Sequence, residues 1–314
     1  MLDLRRLTFL KPFIPRRMQI CMRRALVSWQ LSAHRDVWPI DPQSATAPEG
    51  WTGWPDGKKF ALVLTHDVDT RRGYSKTALL SEVEERIGFR SSFNFVAEDY
   101  RIAPGLMDSL TARGFEIGQH GIRHKDPFQS KRYFRKQAVK INHYLKEWNA
   151  VGFRGPSMYR NLEWVHDLNI EYDTSTFDTD PFEPQPGGMG TIFPFWVREN
   201  GRRRGYVELP YTMPQDFLLF IIMSEKNDGI WRKKLDWIAA HGGTALFITH
   251  PDYMNFDTRP GHEEYPARYY VDFLKRIKSE YGGQYWHVLP RDLARWWAGR
   301  YRKEAAGPAA SQPR

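Results

Sequence analysis

A short apolar run that ends in two aspartates constrains this chain more than any other feature. Residues 60–64 are continuously apolar, which is the pattern of a β-strand buried on both faces. Asp67 and Asp69 follow, separated by one residue, where such a strand should end. If the backbone leaves its extended form there, both carboxylates can face one pocket, where one binds a metal ion and the other acts as a base. A lone Asp-x-Asp pair is more often a polar loop, so its meaning depends on the other ligands that the chain supplies.

Stretches typical of strands and helices alternate after this first strand. Further strands are predicted at residues 91–97, 115–119, 150–153, 170–175, 207–209, 244–249 and 285–288. Helices are predicted at residues 75–87, 103–113, 130–148, 162–168, 229–241 and 265–281. The Pro- and Gly-rich stretch 178–204 is predicted to be a long loop. Repeated β–α units of this size predict a parallel sheet or barrel with its site at the carboxyl ends of the strands.

The two ends of the chain differ from this central pattern. Residues 1–57 are predicted to form a basic amphipathic N-terminal extension, with a helix over residues 18–31 and a linker over residues 38–58. That segment either packs on the domain as a helix, lies at a membrane interface or is disordered. Residues 58–300 are the predicted barrel domain. Residues 301–314, rich in Ala, Gly, Pro and Ser, are predicted to be a disordered tail.

Charge and cysteine content limit which binding partners and which cellular location we expect. The formal net charge is +9, much of it at the two ends, which favours contact with an anionic surface and leaves peripheral membrane contact by the N-terminal segment open. No nucleic-acid motif is present, so no nucleic-acid partner is expected. The single cysteine excludes an intrachain disulfide, and no secretory signal or membrane span is recognisable. We therefore expect a cytoplasmic protein, at most peripheral to the inner face of the membrane, and predict no oligomeric state.

Two histidines follow the third predicted strand, in the same topological position as the aspartate pair. His120 and His124 are four residues apart, and two imidazoles at this spacing can face one metal ion when the intervening chain makes a turn. His-x-x-x-His alone is common. Two histidines and one carboxylate, however, form a ligand set that leaves positions open for water and substrate.

Two further strands also end in a basic or titratable residue. Arg154 follows the strand at 150–153, where it could pair with a carboxylate and fix the orientation and ionisation of that group. His250 follows the apolar strand at 244–249, after the apolar run and not within it. A surface arginine and a core histidine are the ordinary interpretations. Four strand ends that all carry such groups nevertheless indicate one shared site.

These motifs resemble, in order and spacing, those of the polysaccharide deacetylase (NodB-homology) family. The resemblance covers about residues 58–290 and rests on Thr65-His66-Asp67-Val68-Asp69, His120-Gly121-Ile122-Arg123-His124, Arg154-Gly155-Pro156-Ser157 and the strand end Phe247–His250. It implies a distorted (β/α) barrel of about seven parallel strands. It also implies a hydrolase that removes N-acetyl or O-acetyl groups from a polysaccharide or glycan precursor, so that the expected partner is an acetylated glycan.

The resemblance also implies roles for the individual residues. A divalent metal ion, most often Zn²⁺, would be bound by Asp69, His120 and His124. Asp67 would be the general base, held by Arg154, and His250 the general acid. Asp178 would stand where the family has an acidic residue that supports this network.

Two alternatives stay open on the sequence alone. In the commonest form of the family the two aspartates are adjacent, whereas Val68 separates them here, so the roles of Asp67 and Asp69 could be exchanged. The function could also differ: hydrolysis of a non-sugar C–N bond in a cyclic amide, or glycan binding by a catalytically silent barrel. The complete set of polar residues favours a metal-dependent deacetylase.

Overall fold

Strands and helices alternate along the chain as the sequence predicts. The computed structural model describes residues 14–199, 204–257 and 259–301. Within these residues the α-helices are α1 (Arg16–Ala33), α2 (Arg71–Ile87), α3 (Pro104–Ala112), α4 (Lys131–Glu147), α5 (Gly229–His241), α6 (Arg268–Glu280) and α7 (Pro290–Tyr301). The strands are β1 (Phe60–Val68), β2 (Ser92–Phe95), β3 (Glu116–Gln119), β4 (Gly152–Phe153), β5 (Tyr172–Asp173), β6 (Phe195–Arg198), β7 (Gly205–Glu208), β8 (Thr244–Thr249), β9 (Met254–Asn255), β10 (Tyr265–Pro266) and β11 (Tyr285–His287).

The main sheet curls into an incomplete barrel around β1. That strand pairs with β8, with β11 along its first residues and with β2 along its last, and the sheet continues through β3, β4, β5, β7 and β6. Every pairing in it is parallel except that between β6 and β7. The chain after β7 reaches back to β8, where the Thr212 and Met213 amides donate to the Leu246 carbonyl at 3.2 and 3.1 Å. The predicted α/β barrel is thus confirmed, with eight parallel strands in its described sheet where about seven were expected.

Strand β1 is buried along its whole length because both of its faces are covered. Alternate residues belong to different cores, since successive side chains of a strand point to opposite faces. Leu62 and Leu64 pack in the core that contains residues of helices α2, α5 and α6, whereas Ala61 and Val63 pack with residues of α7. The apolar run at residues 60–64 therefore lies in a central strand that is buried on both faces.

Most helices have the predicted limits, and their ends show why. Thr70 caps the first turn of α2 through its hydroxyl, and Gly88 ends that helix with a φ of 95°, a conformation that glycine adopts without strain. Ser130 caps α4 in the same way. The predicted helix at 162–168 is only a 3₁₀ turn, Trp164–Asp167.

Several described elements differ from the predicted ones, among them the two-residue strands β9 and β10, the second of which occupies the start of the helix predicted at 265–281. Strand β6 falls within the stretch predicted as the loop 178–204, and it forms by antiparallel pairing with β7 at the edge of the sheet. A π-helix, Phe217–Ile222, follows Asp216, and helix α7 follows β11. Strand β6 depends on its pairing with β7, which local sequence patterns do not reveal. Helix α7, in contrast, buries Leu293, Trp297 and Tyr301 at helical spacing, a local pattern that the prediction missed.

The N-terminal extension packs against the barrel. Helix α1 contacts the π-helix, buries Ile20 and Val27, and places the Arg24 guanidinium against the Ile221 carbonyl at 2.7 Å. This confirms the packed alternative for the predicted helix. No helix within the described ranges is long and apolar enough to cross a lipid bilayer. Residues 1–13, 200–203 and the predicted disordered tail from residue 302 onward lie outside the described residues, and the domain limits stay predictions.

Helix α7 covers the end of the barrel where the strands begin. Its first turn contacts the start of β3, where the Arg291 amide donates to Glu116 at 3.1 Å. Arg295 pairs with Glu171, the residue before β5, at 2.7 Å. The segment before β1 joins this layer, with the ring centroids of Trp54 and Trp297 6.1 Å apart. The candidate site residues lie at the opposite end of the barrel, where the strands end.

Candidate active site

The carboxyl ends of β1, β3, β4 and β8 bring all six predicted site residues into one cluster. Asp67 and Asp69 stand at the end of β1, His120 and His124 follow β3, Arg154 follows β4 and His250 follows β8. Neighbouring parallel strands finish at the same edge of a sheet, so the polar residues after them meet. Within this group, charged side chains pair at distances from 2.7 to 3.8 Å.

Asp67 is held by two donors on one of its oxygens. Its Oδ1 accepts from the Arg154 guanidinium at 2.7 Å and from the Asn94 amide at 2.8 Å. Arg154 is itself fully buried and donates to the Thr65 hydroxyl at 2.9 Å and to the Thr174 carbonyl at 3.1 Å. Burial alone would raise the pKa of Asp67, but the positive charges of Arg154 and of the neighbouring histidines lower it below its usual value. Asp67 is therefore an ionised, rigidly oriented carboxylate.

Asp69 and the two histidines form a group suited to a metal ion. The Asp69 Oδ1 atom lies 3.4 Å from His120 Nε2 and 3.3 Å from His124 Nε2. The three ligand atoms all lie within 4.8 Å of one another. Asp69 Oδ1 is buried and has no hydrogen-bond partner within the described residues. A buried carboxylate oxygen without a partner is costly, and two imidazole nitrogens converging on it fit a divalent cation.

The surrounding chain fixes how each histidine presents its ring. His120 Nδ1 lies 3.0 Å from the Arg154 carbonyl, so in the neutral ring Nδ1 carries the proton and Nε2 is free to bind a metal. The His124 amide donates to Asp99 at 2.7 Å, and its side chain is 31% exposed. Gly121, with a φ of 80°, makes the turn between them, where a Cβ atom would lie 2.6 Å from Pro156. His124 thus forms the solvent side of the site.

His250 is oriented by a carboxylate that the sequence motifs did not identify. Its Nδ1 lies 2.7 Å from Asp216 Oδ1, and its amide donates to Asp216 Oδ2 at 2.8 Å. The Tyr265 hydroxyl and the Phe217 amide also donate to Asp216. Burial alone would lower the pKa of His250, but the Asp216 carboxylate, with smaller contributions from Asp69 and Asp67, raises it to about 10. Nε2 remains as the nitrogen available to a substrate.

A second buried carboxylate supports the turn that carries Asp69. Asp252 accepts hydrogen bonds from the Asp69 amide at 3.1 Å, the Thr70 hydroxyl at 2.5 Å and the Gly73 amide at 3.3 Å. A Cβ atom on Gly73 would lie 2.0 Å from Asp252, so this approach requires glycine. Burial and the neighbouring Asp69 carboxylate raise the pKa of Asp252 to about 6. Asp252 ties the start of α2 to the end of β8.

The prediction for Asp178 was wrong. Asp178 is buried in an ion pair with Lys234 at 2.5 Å, and Asp216 is the residue that supports His250. Asp216 stands in no recognisable motif, because it precedes an irregular π-helix far from His250 in the sequence. Asn94 could have been found, since it lies on β2 directly beside Asp67 in the register of the sheet.

Comparison with solved structures identifies the fold. A structure from Mycobacterium smegmatis, described as a polysaccharide deacetylase, matches with a TM-score of 0.64 and 18% identity over 85% of this chain and 99% of that chain. The chain has the polysaccharide deacetylase fold. A polysaccharide deacetylase from Pseudomonas aeruginosa PAO1 matches with a TM-score of 0.57 and 17% identity, over 79% of this chain and 94% of that chain.

The polysaccharide deacetylase fold is also found in a solved structure that is described as a different enzyme. Puue allantoinase matches with a TM-score of 0.60 and 17% identity over 79% of this chain and 93% of that chain. No protein-family model matches the sequence, and no curated protein matches it either. At these identities the likeness is one of fold, and the choice of reaction rests on the residues of the site.

Proposed function

We propose that the protein is a metal-dependent hydrolase that removes N-acetyl or O-acetyl groups from a glycan. One observation carries this proposal: the Asp69 oxygen without a hydrogen-bond partner faces two histidine nitrogens, and Asp67 and His250, each paired with an oppositely charged residue, lie in the same cluster. Acyl transfer to water needs an electrophile, a base and an acid in one place, and these residues can supply all three.

The residues that would hold the metal ion are Asp69, His120 and His124. One carboxylate and two imidazoles suit zinc, which favours nitrogen and oxygen ligands and keeps an open position in catalytic sites. A metal ion bound there would polarise the acetyl carbonyl and lower the pKa of a bound water.

Asp67 is the base in this proposal. Its Oδ1 is occupied by Arg154 and Asn94, whereas Oδ2 faces His120 Nε2 at 3.8 Å and so points into the ligand group. Oδ2 can therefore accept a proton from the attacking water. The hydrogen bonds on Oδ1 hold the carboxylate in place. Burial opposes its ionisation, but the positive charges of Arg154 and the nearby histidines lower the pKa of Asp67 and favour the ionised form. Arg154 serves as the positioning residue for this base.

His250 is the acid. Asp216 holds Nδ1 and keeps the ring protonated at neutral pH, so Nε2 can donate to the leaving group. The C–N or C–O bond of the acetyl group breaks, the leaving nitrogen or oxygen takes the proton from His250, and acetate takes the hydroxyl of water. Asp67 then releases its proton to solvent, and His250 takes up a proton from solvent, so that both residues return to their starting protonation states.

Two rival functions use the same barrel. The likeness to an allantoinase supports hydrolysis of a cyclic amide as the second candidate, since the same base and acid can serve any C–N bond. Glycan binding without catalysis is the third. The ordered carboxylate and the protonated histidine have no use in a binding protein and therefore favour catalysis.

Metal analysis followed by a substrate screen tests the proposal. The purified protein should bind about one equivalent of zinc and release acetate from acetylated hexosamine oligomers, and a chelator should abolish that release. Ring opening of a cyclic amide without acetate release would select the second candidate. Equal turnover by the metal-free and the zinc-loaded protein would overturn the mechanism.

A further inference from the structure

Helix α1 carries an apolar stripe that faces away from the barrel. Met18, Met22 and Trp29 are 55%, 56% and 71% exposed. They are four and seven residues apart, so they lie on one side of the helix, opposite the buried Ile20 and Val27. A large tryptophan and two methionines gathered in this way are unusual on a water-exposed helix and mark an interaction surface.

The charge of the helix indicates what kind of surface it meets. Helix α1 contains four arginines and no acidic residue. Arg16 is paired with Glu263 and Arg24 with a carbonyl of the π-helix, whereas Arg17 is exposed on the flank of the helix, between the stripe and the buried face. Residues 1–13, which precede this helix in the sequence, add three basic residues against one acidic residue, together with seven large apolar ones, Met1, Leu2, Leu4, Leu7, Phe9, Leu10 and Phe13. Apolar side chains flanked by cations are the composition of a helix that lies in the interface of an anionic membrane.

The inner side of the same helix borders the candidate active site. Arg23 lies over the Phe217 ring at 5.3 Å, Phe217 contacts Tyr253 with ring centroids 4.7 Å apart, and Tyr253 contacts His250 at 5.3 Å. A surface that receives the outer face of α1 would therefore lie beside the end of the barrel where the site opens.

We propose that α1 docks on an anionic lipid surface through Met18, Met22 and Trp29, with Arg17 at the edge of the contact. The apolar side chains enter the boundary between headgroups and acyl chains, and the arginine side chain contacts lipid phosphates. Docking in this way holds the mouth of the active site next to the membrane. The occupant is a bilayer and not a second copy of the chain, because a self-complementary contact would bring the arginine-rich helices of two copies together.

Vesicle binding by the full chain tests the proposal. Cys21 is the only cysteine and is exposed on α1, so an environment-sensitive fluorophore can be attached there without mutation. The probe should shift to the blue with vesicles of phosphatidylcholine containing about one-third phosphatidylglycerol, and not with phosphatidylcholine alone. Trp29→Glu should weaken binding by at least about tenfold, because it removes the largest apolar contact. Arg17→Gln should weaken it about fivefold and reduce its dependence on salt.

Val139→Glu is the matched control, since Val139 is 73% exposed on α4, a helix that is also rich in lysine and arginine. This variant should bind as the wild type does. Loss of binding in Val139→Glu but not in Trp29→Glu would move the docking face to α4 and overturn the proposal. Three other results would also overturn the proposal: no binding to vesicles, equal binding to neutral and anionic vesicles, or a concentration-dependent self-association that Trp29→Glu abolishes. Because no substrate enters the measurement, these outcomes leave the deacetylase proposal untouched.

Discussion

His66 and Asp67 are neighbours on β1, but they belong to two different kinds of polar network. His66 points toward the helices, where its Nε2 lies 2.8 Å from Glu84 and its Nδ1 lies 2.7 Å from the Thr249 hydroxyl. Glu84 also accepts from Ser91 at 2.6 Å and from Tyr270 at 2.5 Å. Asp67 points the other way, toward Asp69 and the two histidines, where a buried Asp69 oxygen has no partner within the described residues.

The difference separates a structural network from a functional one. Every side-chain nitrogen and oxygen of His66 and Glu84 has a partner, so the fold itself satisfies this group and nothing further needs to bind. The cluster around Asp69 lacks one interaction, and a cation would provide it. Identical residue types, a carboxylate and a histidine, therefore satisfy one another on one face of β1, whereas on the other face they leave a buried oxygen without a hydrogen-bond partner, where we place the proposed metal site.

Asp69→Ala should give the largest effect. It removes the only carboxylate of the ligand group, so metal affinity should fall by more than the roughly 100-fold that loss of a supporting residue costs, and acetate release should disappear. Metal titration and an acetate assay measure this. Thermal unfolding serves as the control for folding and should remain a single cooperative transition, although the charge pairs of Asp69 with His120 and His124 are lost. Full metal content in this variant would show that the ligand group is misassigned.

Asp67→Asn distinguishes the base from the ligand. Turnover should fall by about 10²- to 10⁴-fold, since the amide cannot accept the proton of the attacking water. Metal content should stay at the wild-type level. If the metal is lost and Asp69→Asn retains it, the roles of the two aspartates are exchanged.

Glu84→Gln tests the structural side of β1. Removing the charge from a buried, fully bonded carboxylate should lower the free energy of unfolding by about 3 kcal/mol, measured by chemical denaturation. The metal content of the folded protein should not change. Burial opposes ionisation of Glu84, but His66 and the hydroxyl donors lower its pKa below the ordinary 4.5. Its stabilising contribution is therefore complete above pH 4.5 and is lost as pH falls further, so wild type should lose stability in acid more steeply than the variant.

Asp216→Asn sharpens the role of His250. The raised pKa of about 10 keeps the wild-type acid protonated throughout the neutral range, and turnover should decline only as pH approaches that value. Without the Asp216 charge, the pKa of His250 falls. The alkaline limb of the turnover profile should therefore move to lower pH. Activity at pH 9 should fall about tenfold relative to wild type. An unmoved alkaline limb would exclude His250 as the titrating acid.

Asp252→Asn should have the smallest effect. The asparagine side chain has one acceptor oxygen fewer for the backbone amides around Asp69. Asp69 is then held less firmly but is still present, so metal affinity should drop about tenfold. Turnover at saturating metal should approach that of wild type. A variant that loses turnover at saturating metal would instead indicate a direct role for Asp252.

The barrel and the clustering of the six candidate residues could be predicted because their signals are local. Each of the four strands ends in a polar residue, and the order of the motifs follows the order of the strands. Asp216 could not be predicted, because its relation to His250 arises only when the chain after β7 returns to β8. Strand β6 was missed for the same reason, since it depends on its partner β7. The cytoplasmic location, the disordered tail and the domain limits remain predictions.

The two helices at the ends of the described chain sit at opposite ends of the barrel. Helix α1 borders the mouth of the site through Phe217 and Tyr253, whereas α7 covers the strand starts. This arrangement has a practical consequence for anyone who attaches the protein to something else. A fusion partner or a solid support joined after residue 301 leaves the site facing solution, whereas one joined ahead of α1 crowds the entrance.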